Sequence, residues 1–304
     1  MKLVIDELIE NKRIDCYLAE IMPEKSRSKI QSEIKNSQIT VNAKEVKPSY
    51  ILKENDILEI NDSFCKNDLQ TPKPENITLE VVWEDENMAV INKPSGMLTH
   101  PTTNEMSGTL VNALLNKYGE NLSNLNGEMR RGIIHRLDRN TSGLIMIAKN
   151  NETHEFLVNE MKEKRFCKKY LAVARGRIEK DIFEINAPIG RHLTQPHKQC
   201  VREDGKESLT IVKVLERYKE ASLVELTLIT GRTHQIRVHL SSIGHPVYND
   251  TLYGFGKMKI KTDEQVLQAY SLEFTKPFST ERIHLEIPQD EKLKKVLAFV
   301  MLQV

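Results

Sequence analysis

The chain has 304 residues, 39% of them hydrophobic, and 44 Lys and Arg stand against 43 Asp and Glu, a formal net charge of +1. That is enough apolar material for one large domain plus a small one, and bulk charge does not announce an anionic partner, so any basic surface must come from local clusters. Cys16, Cys65, Cys167 and Cys200 form no C-x-x-C pair, acids interrupt the short apolar N-terminal stretch, and no run is long and apolar enough to span a bilayer; zinc, a disulfide framework, a signal peptide and a membrane span are therefore not expected, and a reducing cytoplasm is.

Arg13-Ile14-Asp15-Cys16-Tyr17-Leu18 opens a short amphipathic helix that ends near Pro23. Ser26 reads as the N-cap of a second helix, Arg27 to Asn36, with Ile30 and Ile34 on its buried face. Ile39-Thr40-Val41 alternates like a strand, Asn42-Ala43-Lys44 turns the chain, and Ile57-Leu58-Glu59-Ile60 closes the unit as a further strand. Residues 1–62 are thus expected to form a small domain. Lys25, Arg27, Lys29 and Lys35 gather on and just before the second helix, and the short Ser26 and Ser28 leave room for a phosphate; an ordinary solvated helix face is the alternative.

Residues 63–77, polar and proline-spaced, read as a linker. Residues 78–304 are then strand-rich. Leu79 to Trp83 and Met88 to Asn92 flank a turn at Glu84 to Asn87, as in a hairpin. Helices are expected from Thr109 to Tyr118 and from Glu152 to Lys164, and strands from Leu144 to Lys149, Lys169 to Ala174, Leu209 to Leu215, Ser222 to Ile229 and Leu272 to Phe274. Irregular alternation of this kind predicts an α+β domain around a largely antiparallel sheet. Residues 255–265 read as a mobile surface loop.

Three charged clusters carry the chemistry. In Gly132-Ile133-Ile134-His135-Arg136-Leu137-Asp138-Arg139-Asn140-Thr141-Ser142-Gly143-Leu144 two arginines flank one aspartate ahead of an apolar strand. With Arg130 and Arg131 nearby, this reads as a phosphate-recruiting surface around an ionised carboxylate, the alternative being a surface ion pair. Thr230 to His239 reads as a strand in which Arg237 faces with Gln235 and Ile236 with Val238. Lys164-Arg165 and Lys168-Lys169-Tyr170 set an aromatic among cations, a pattern suited to base stacking beside phosphate, or to a helix end followed by a strand.

Arg13-Ile14-Asp15, Ser26-Arg27-Ser28, Val41-Asn42-Ala43-Lys44 and Glu54-Asn55-Asp56 resemble the alpha-L (S4-like) RNA-binding domain. Asn55 stands where that family has Gly, a replacement compatible with a left-handed backbone. Glu84-Asp85, Asn92-Lys93-Pro94-Ser95-Gly96, His100-Pro101, Gly108 to Leu115, His135 to Leu144, Lys168-Lys169-Tyr170, Gly205-Lys206, Thr230 to His239, His245-Pro246-Val247, Asp250 and Tyr253-Gly254 resemble the RluA/RluD-type RNA pseudouridine synthases. Asn249, Gln268 and Ser208 depart from that pattern at positions usually Gly, His and Ala.

The resemblance implies isomerisation of uridine in structured RNA. The reaction breaks C1′–N1 and joins C1′ to C5 without oxidation, so neither cofactor nor metal is expected. It implies that Asp138 is the essential carboxylate, acting on C1′, on the base or on a ribose proton. Arg237 would pair with it, in a contact that could be bidentate. Tyr170 would stack on the uracil, Ile236 would line the pocket wall, and Arg136 would fill the space left by the flipped nucleotide. Arg139, Lys169, Arg27 and Lys29 are further RNA-contact candidates. One carboxylate in the motif favours isomerisation over glycoside hydrolysis, which uses two. Large-subunit ribosomal RNA is the expected partner and a monomer the expected state, with transfer RNA, or a catalytically silent RNA-binding factor, as alternatives.

Overall fold

Four buried hydrophobic clusters organise the described residues. The computed structural model describes all residues except 6–10, 23–24, 62–63, 65–70, 256–259, 261–264 and 303–304. It divides into two units, Met1–Gln70 and Thr71–Val304. Residues 63 and 65–70 of the expected linker, and most of the expected loop at 255–265, lie outside the described residues.

In the first unit, helices α1 (Ile14–Ile21) and α2 (Arg27–Lys35) pack on a sheet of order β1-β3-β2, formed by Lys2–Val4, Ile57–Ile60 and Ile39–Val41. Ile14, Leu18, Ile30, Ile34, Val41 and Leu58 fill its core. Ser26 caps α2, its hydroxyl accepting the Lys29 N–H at 3.3 Å. Asn42 and Ala43 both take positive φ in the turn after β2, and Asn55 sits at φ 67°, the left-handed conformation its amide tolerates.

The second unit begins at Thr71 rather than at 78, because residues 73–75 are already tied to it. The Asn112 amide donates to Lys73 O, and the Glu75 carboxylate accepts the Gly108 N–H. These bonds secure the N-terminus of α3 (Leu110–Tyr118), where Thr109 and Asn112 also form a reciprocal cap. The sheet runs β4 (Glu80–Glu84), β5 (Met88–Lys93), β6 (Ser142–Ala148), β13 (Leu267–Thr275), β7 (Cys167–Arg175), β12 (Ala221–Leu228), β11 (Leu209–Arg217) and β8 (Ile182–Asn186), with β14 (Arg282–Glu286) added to β13. β9 (Ile189–Arg191) and β10 (Gln199–Val201) form a separate hairpin.

Among the described pairings only β6–β13 is parallel. It depends on Gly143, at φ +115°, where a Cβ would stand 2.1 Å from Ala269 O. Strand alternation divides the side chains: Tyr170, Ala172 and Ala174 join the core beneath α3 and α5 (Gln235–Ser242), while Leu171 and Val173 meet α6 (Glu291–Met301). Helix α4 (Asn151–Lys162) packs Leu157 into a further cluster with Met88 and Phe274.

Gln235–Ser242 is a helix, not the expected strand. Five residues of polar and apolar alternation fit both periods, and the longer register decides: Ile236 and Leu240 are four apart in the core, and Gln235 and His239 are four apart facing Thr210.

Candidate active site

Asp138 sits in a loop whose backbone is held from several directions. The Thr99 hydroxyl donates to Leu137 O at 2.8 Å and accepts Leu137 N–H at 3.3 Å. The buried Lys93 ammonium donates to Pro94 O, Met97 O and Arg139 O. The Ser95 hydroxyl and the Lys292 ammonium both donate to Asn140 O. The Asn92 to Gly96 motif therefore supports the aspartate loop. His135 lies behind it, its Nε2 accepting Met146 N–H at 3.1 Å, and burial holds the imidazole well below its ordinary pKa.

Arg237 reaches Asp138 from α5. Its Nη1 donates to Asp138 Oδ2 at 3.1 Å, a single bond. Its bidentate partner is Asp250: Nε donates to Oδ2 at 2.6 Å and Nη2 to Oδ1 at 2.9 Å. Asp250 is fully buried and also accepts the Leu252 and Tyr253 N–H groups, and the Arg237 guanidinium lies over the Tyr253 ring. Burial works against the Arg237 charge, but the hydrogen bonds to Asp250 and the charges of Asp250 and Asp138 outweigh it and raise its pKa. The expected fork toward Asp138 is thus directed to Asp250, which leaves the second Asp138 oxygen open toward the cleft.

His234 stands on that open side, with Nε2 3.8 Å from Asp138 Oδ1. It caps α5 in the left-handed region at φ 58°. The Tyr253 hydroxyl accepts Gln199 N–H at 2.8 Å and lies in hydrogen-bond contact with His234 Nδ1 at 2.7 Å. Burial keeps the imidazole below its ordinary pKa against the pull of Asp138. The preceding turn is tied down by Gln235, whose Oε1 accepts from Thr230 and from Arg232 N–H.

Asp138, Arg136, Tyr170, Ile236, Arg237, His234, Arg232 and Lys168 line one cleft of about 230 Å3, and Asp138 is the single carboxylate among its lining residues. Tyr170 is 6% exposed, and burial followed by the Asp138 charge raises its phenol pKa, so it remains protonated.

Other candidates lie elsewhere. Lys169 is on the opposite face of β7, 3.5 Å from Glu225. Arg139 pairs with Glu105, and Arg131 is 10% exposed at its side chain between Glu120 and Glu128, so two of the four arginines of that cluster are already paired with acids. Arg27 donates to the buried Asp15, together with Arg13 and Gln31, and Lys29 pairs with Glu33 one turn away. Lys168, His234 and Tyr253 were not picked out as site residues from the sequence. The period-2 alternation from Tyr170 could have marked Lys168.

The family model described as RNA pseudouridylate synthase matches residues 87–242, and that of the S4 domain matches residues 12–58. An RNA pseudouridine synthase of Aquifex aeolicus is 40% identical over 96% of this chain and 94% of its own length. The ribosomal large subunit pseudouridine synthase D of Nitrosomonas europaea is 34% identical, over 98% and 87%. Among solved structures, human RNA pseudouridylate synthase domain containing 1 has a TM-score of 0.59 and 28% identity, covering 75% of this chain and 96% of that one. The pinned aspartate loop, the arginine it meets and the likeness over nearly the whole chain agree: this chain belongs to the RNA pseudouridine synthases and carries an S4 domain at its N-terminus.

Proposed function

We propose that the chain converts uridines of large-subunit ribosomal RNA to pseudouridine with Asp138 as the essential carboxylate, acting as a monomer in the cytoplasm. One observation carries the site assignment: Asp138 is the cleft's single carboxylate, with one oxygen fixed by Arg237 and the other open. A carboxylate so placed serves as nucleophile or as base on the ribose. Tyr170 offers its ring to the uracil, Ile236 closes the wall, and the exposed Arg136 occupies the gap left by the flipped nucleotide. The S4 domain brings further backbone contact, with Lys25 just before helix α2 and Arg27, Lys29 and Lys35 on it. The names of the relatives support ribosomal RNA as the substrate.

Mapping pseudouridine in RNA from cells with and without this protein tests the reading. Loss of one or more pseudouridines confined to large-subunit ribosomal RNA is the expected result. Loss confined to transfer RNA would overturn the substrate assignment, and an unchanged map would overturn the function.

A further inference from the structure

We propose that Lys168 is a catalytic base that takes the C5 proton of the uracil in the closing step of the isomerisation; this rests on the reading of the Asp138 cleft as the active site. Once C1′ is joined to C5, that carbon still bears its hydrogen, and C6 is doubly bonded to N1. The Lys168 amine lone pair takes the proton as the C5–H bond breaks. Its electron pair forms C5=C6, the C6=N1 pair returns to N1, and N1 takes a proton from solvent or from the new ammonium. One proton leaves carbon, one arrives on nitrogen, and nothing is oxidised.

The placement follows from β7. Alternation puts Lys168 and Tyr170 on the same face, both lining the cleft with Asp138, and puts Lys169 on the other face beside Glu225. Lys168 is partly buried, and its ammonium makes no hydrogen bond or ion pair among the described residues. Burial alone lowers its pKa to about 8, so a usable fraction is neutral near neutral pH.

The other titratable or charged groups facing the cleft are poorly suited to the task. Arg136, Arg232 and Arg237 have no lone pair to offer. The Tyr170 phenol is held protonated by burial and by Asp138. His135 Nε2 accepts the Met146 N–H, and His234 is hydrogen-bonded through Nδ1 to the Tyr253 hydroxyl, with its Nε2 turned toward Asp138 3.8 Å away. Asp138 is engaged at the ribose.

The probe is total RNA from cells that lack this protein, grown on uracil carrying hydrogen or deuterium at C5. Full-length wild type, Lys168→Met, Lys168→Gln and Lys168→Arg are compared in single turnovers, with thermal melts and RNA-binding titrations alongside. All three substitutions should slow pseudouridine formation on the order of 10²–10⁴-fold, leave RNA affinity within a few-fold, and expose a primary deuterium isotope effect at C5. Lys168→Arg is decisive, because it keeps the positive charge but does not deprotonate. Rescue by Arg would mean that the ammonium contacts phosphate and would overturn the proposal. Near-normal turnover by Met or Gln would overturn it, as would a rate loss with no isotope effect. If the Met variant does not fold, Gln and Arg give the same reading. Failure of wild type to form pseudouridine in this RNA would refute the functional reading and the proposal with it, whereas mutant turnover equal to wild type would refute the proposal alone.

Discussion

Replacing Arg237 with methionine removes a cation that answers two carboxylates of unequal burial. Asp250 is fully buried and takes two of the three guanidinium bonds, while Asp138 is 16% exposed at its side chain and takes one. Breaking a buried pair from one side costs roughly 3–5 kcal/mol, because the remaining charge has no partner and little water. At about 2–4 °C per kcal/mol for a domain of this size, Arg237→Met should lower Tm by roughly 6–20 °C. Asp138→Asn should cost only about 1 kcal/mol, since it weakens one hydrogen bond near solvent. The double mutants separate the partners. Arg237→Met with Asp138→Asn should stay as unstable as Arg237→Met, because Asp250 remains orphaned. Arg237→Met with Asp250→Asn should recover most of the loss, because the carbonyl oxygen of the introduced amide can still accept the Leu252 and Tyr253 N–H groups. Thermal melts of the five proteins decide it. Recovery by the Asp138 change but not by the Asp250 change would refute the assignment of Asp250 as the structural partner.

Three further outcomes follow from the same geometry. Gly143→Ala should destabilise the second unit by more than the roughly 1–3 kcal/mol of ordinary overpacking, since its Cβ meets Ala269 O at positive φ; a Tm within about 3 °C of wild type would contradict that. Burial works against ionisation of Asp15, but hydrogen bonds from Arg13, Gln31 and Arg27 prevail and hold it below the ordinary carboxylate range; a depressed folded pKa gives stability that is present above the unfolded value and lost as pH falls, so the first unit should weaken below about pH 4, and Asp15→Asn should flatten that slope in urea melts. Residues 71–304 alone should bind RNA with a shallower salt dependence than the full chain, because phosphate contacts by the α2 cations release counterions; equal slopes would show that the first unit makes no such contact.

The motif around Asp138 was legible because its residues are consecutive and their types unusual together. So were the cap at Ser26 and the left-handed asparagines at 55 and 249, since each depends on local backbone geometry. Partnership was less so. Asp250 is thirteen residues from Arg237 and Glu105 thirty-four from Arg139, and no local pattern tells a guanidinium which carboxylate it will meet. The strand reading of Gln235 to His239 failed because five residues satisfy two periods. Lys168 and Lys169 are equivalent in composition, and only the direction of β7 sends one to the cleft and the other to Glu225.

The most direct test of the central claim is tritium release from RNA labelled at uridine C5, with wild type and Asp138→Asn compared at matched RNA occupancy. The amide keeps the shape of Asp138 and its place beside Arg237 but removes the reactive charge. Wild type should release tritium in step with pseudouridine formed, and Asp138→Asn should release none while its RNA Kd stays within a few-fold. Tritium release by Asp138→Asn at a measurable fraction of the wild-type rate would contradict the assignment of Asp138 as the essential carboxylate.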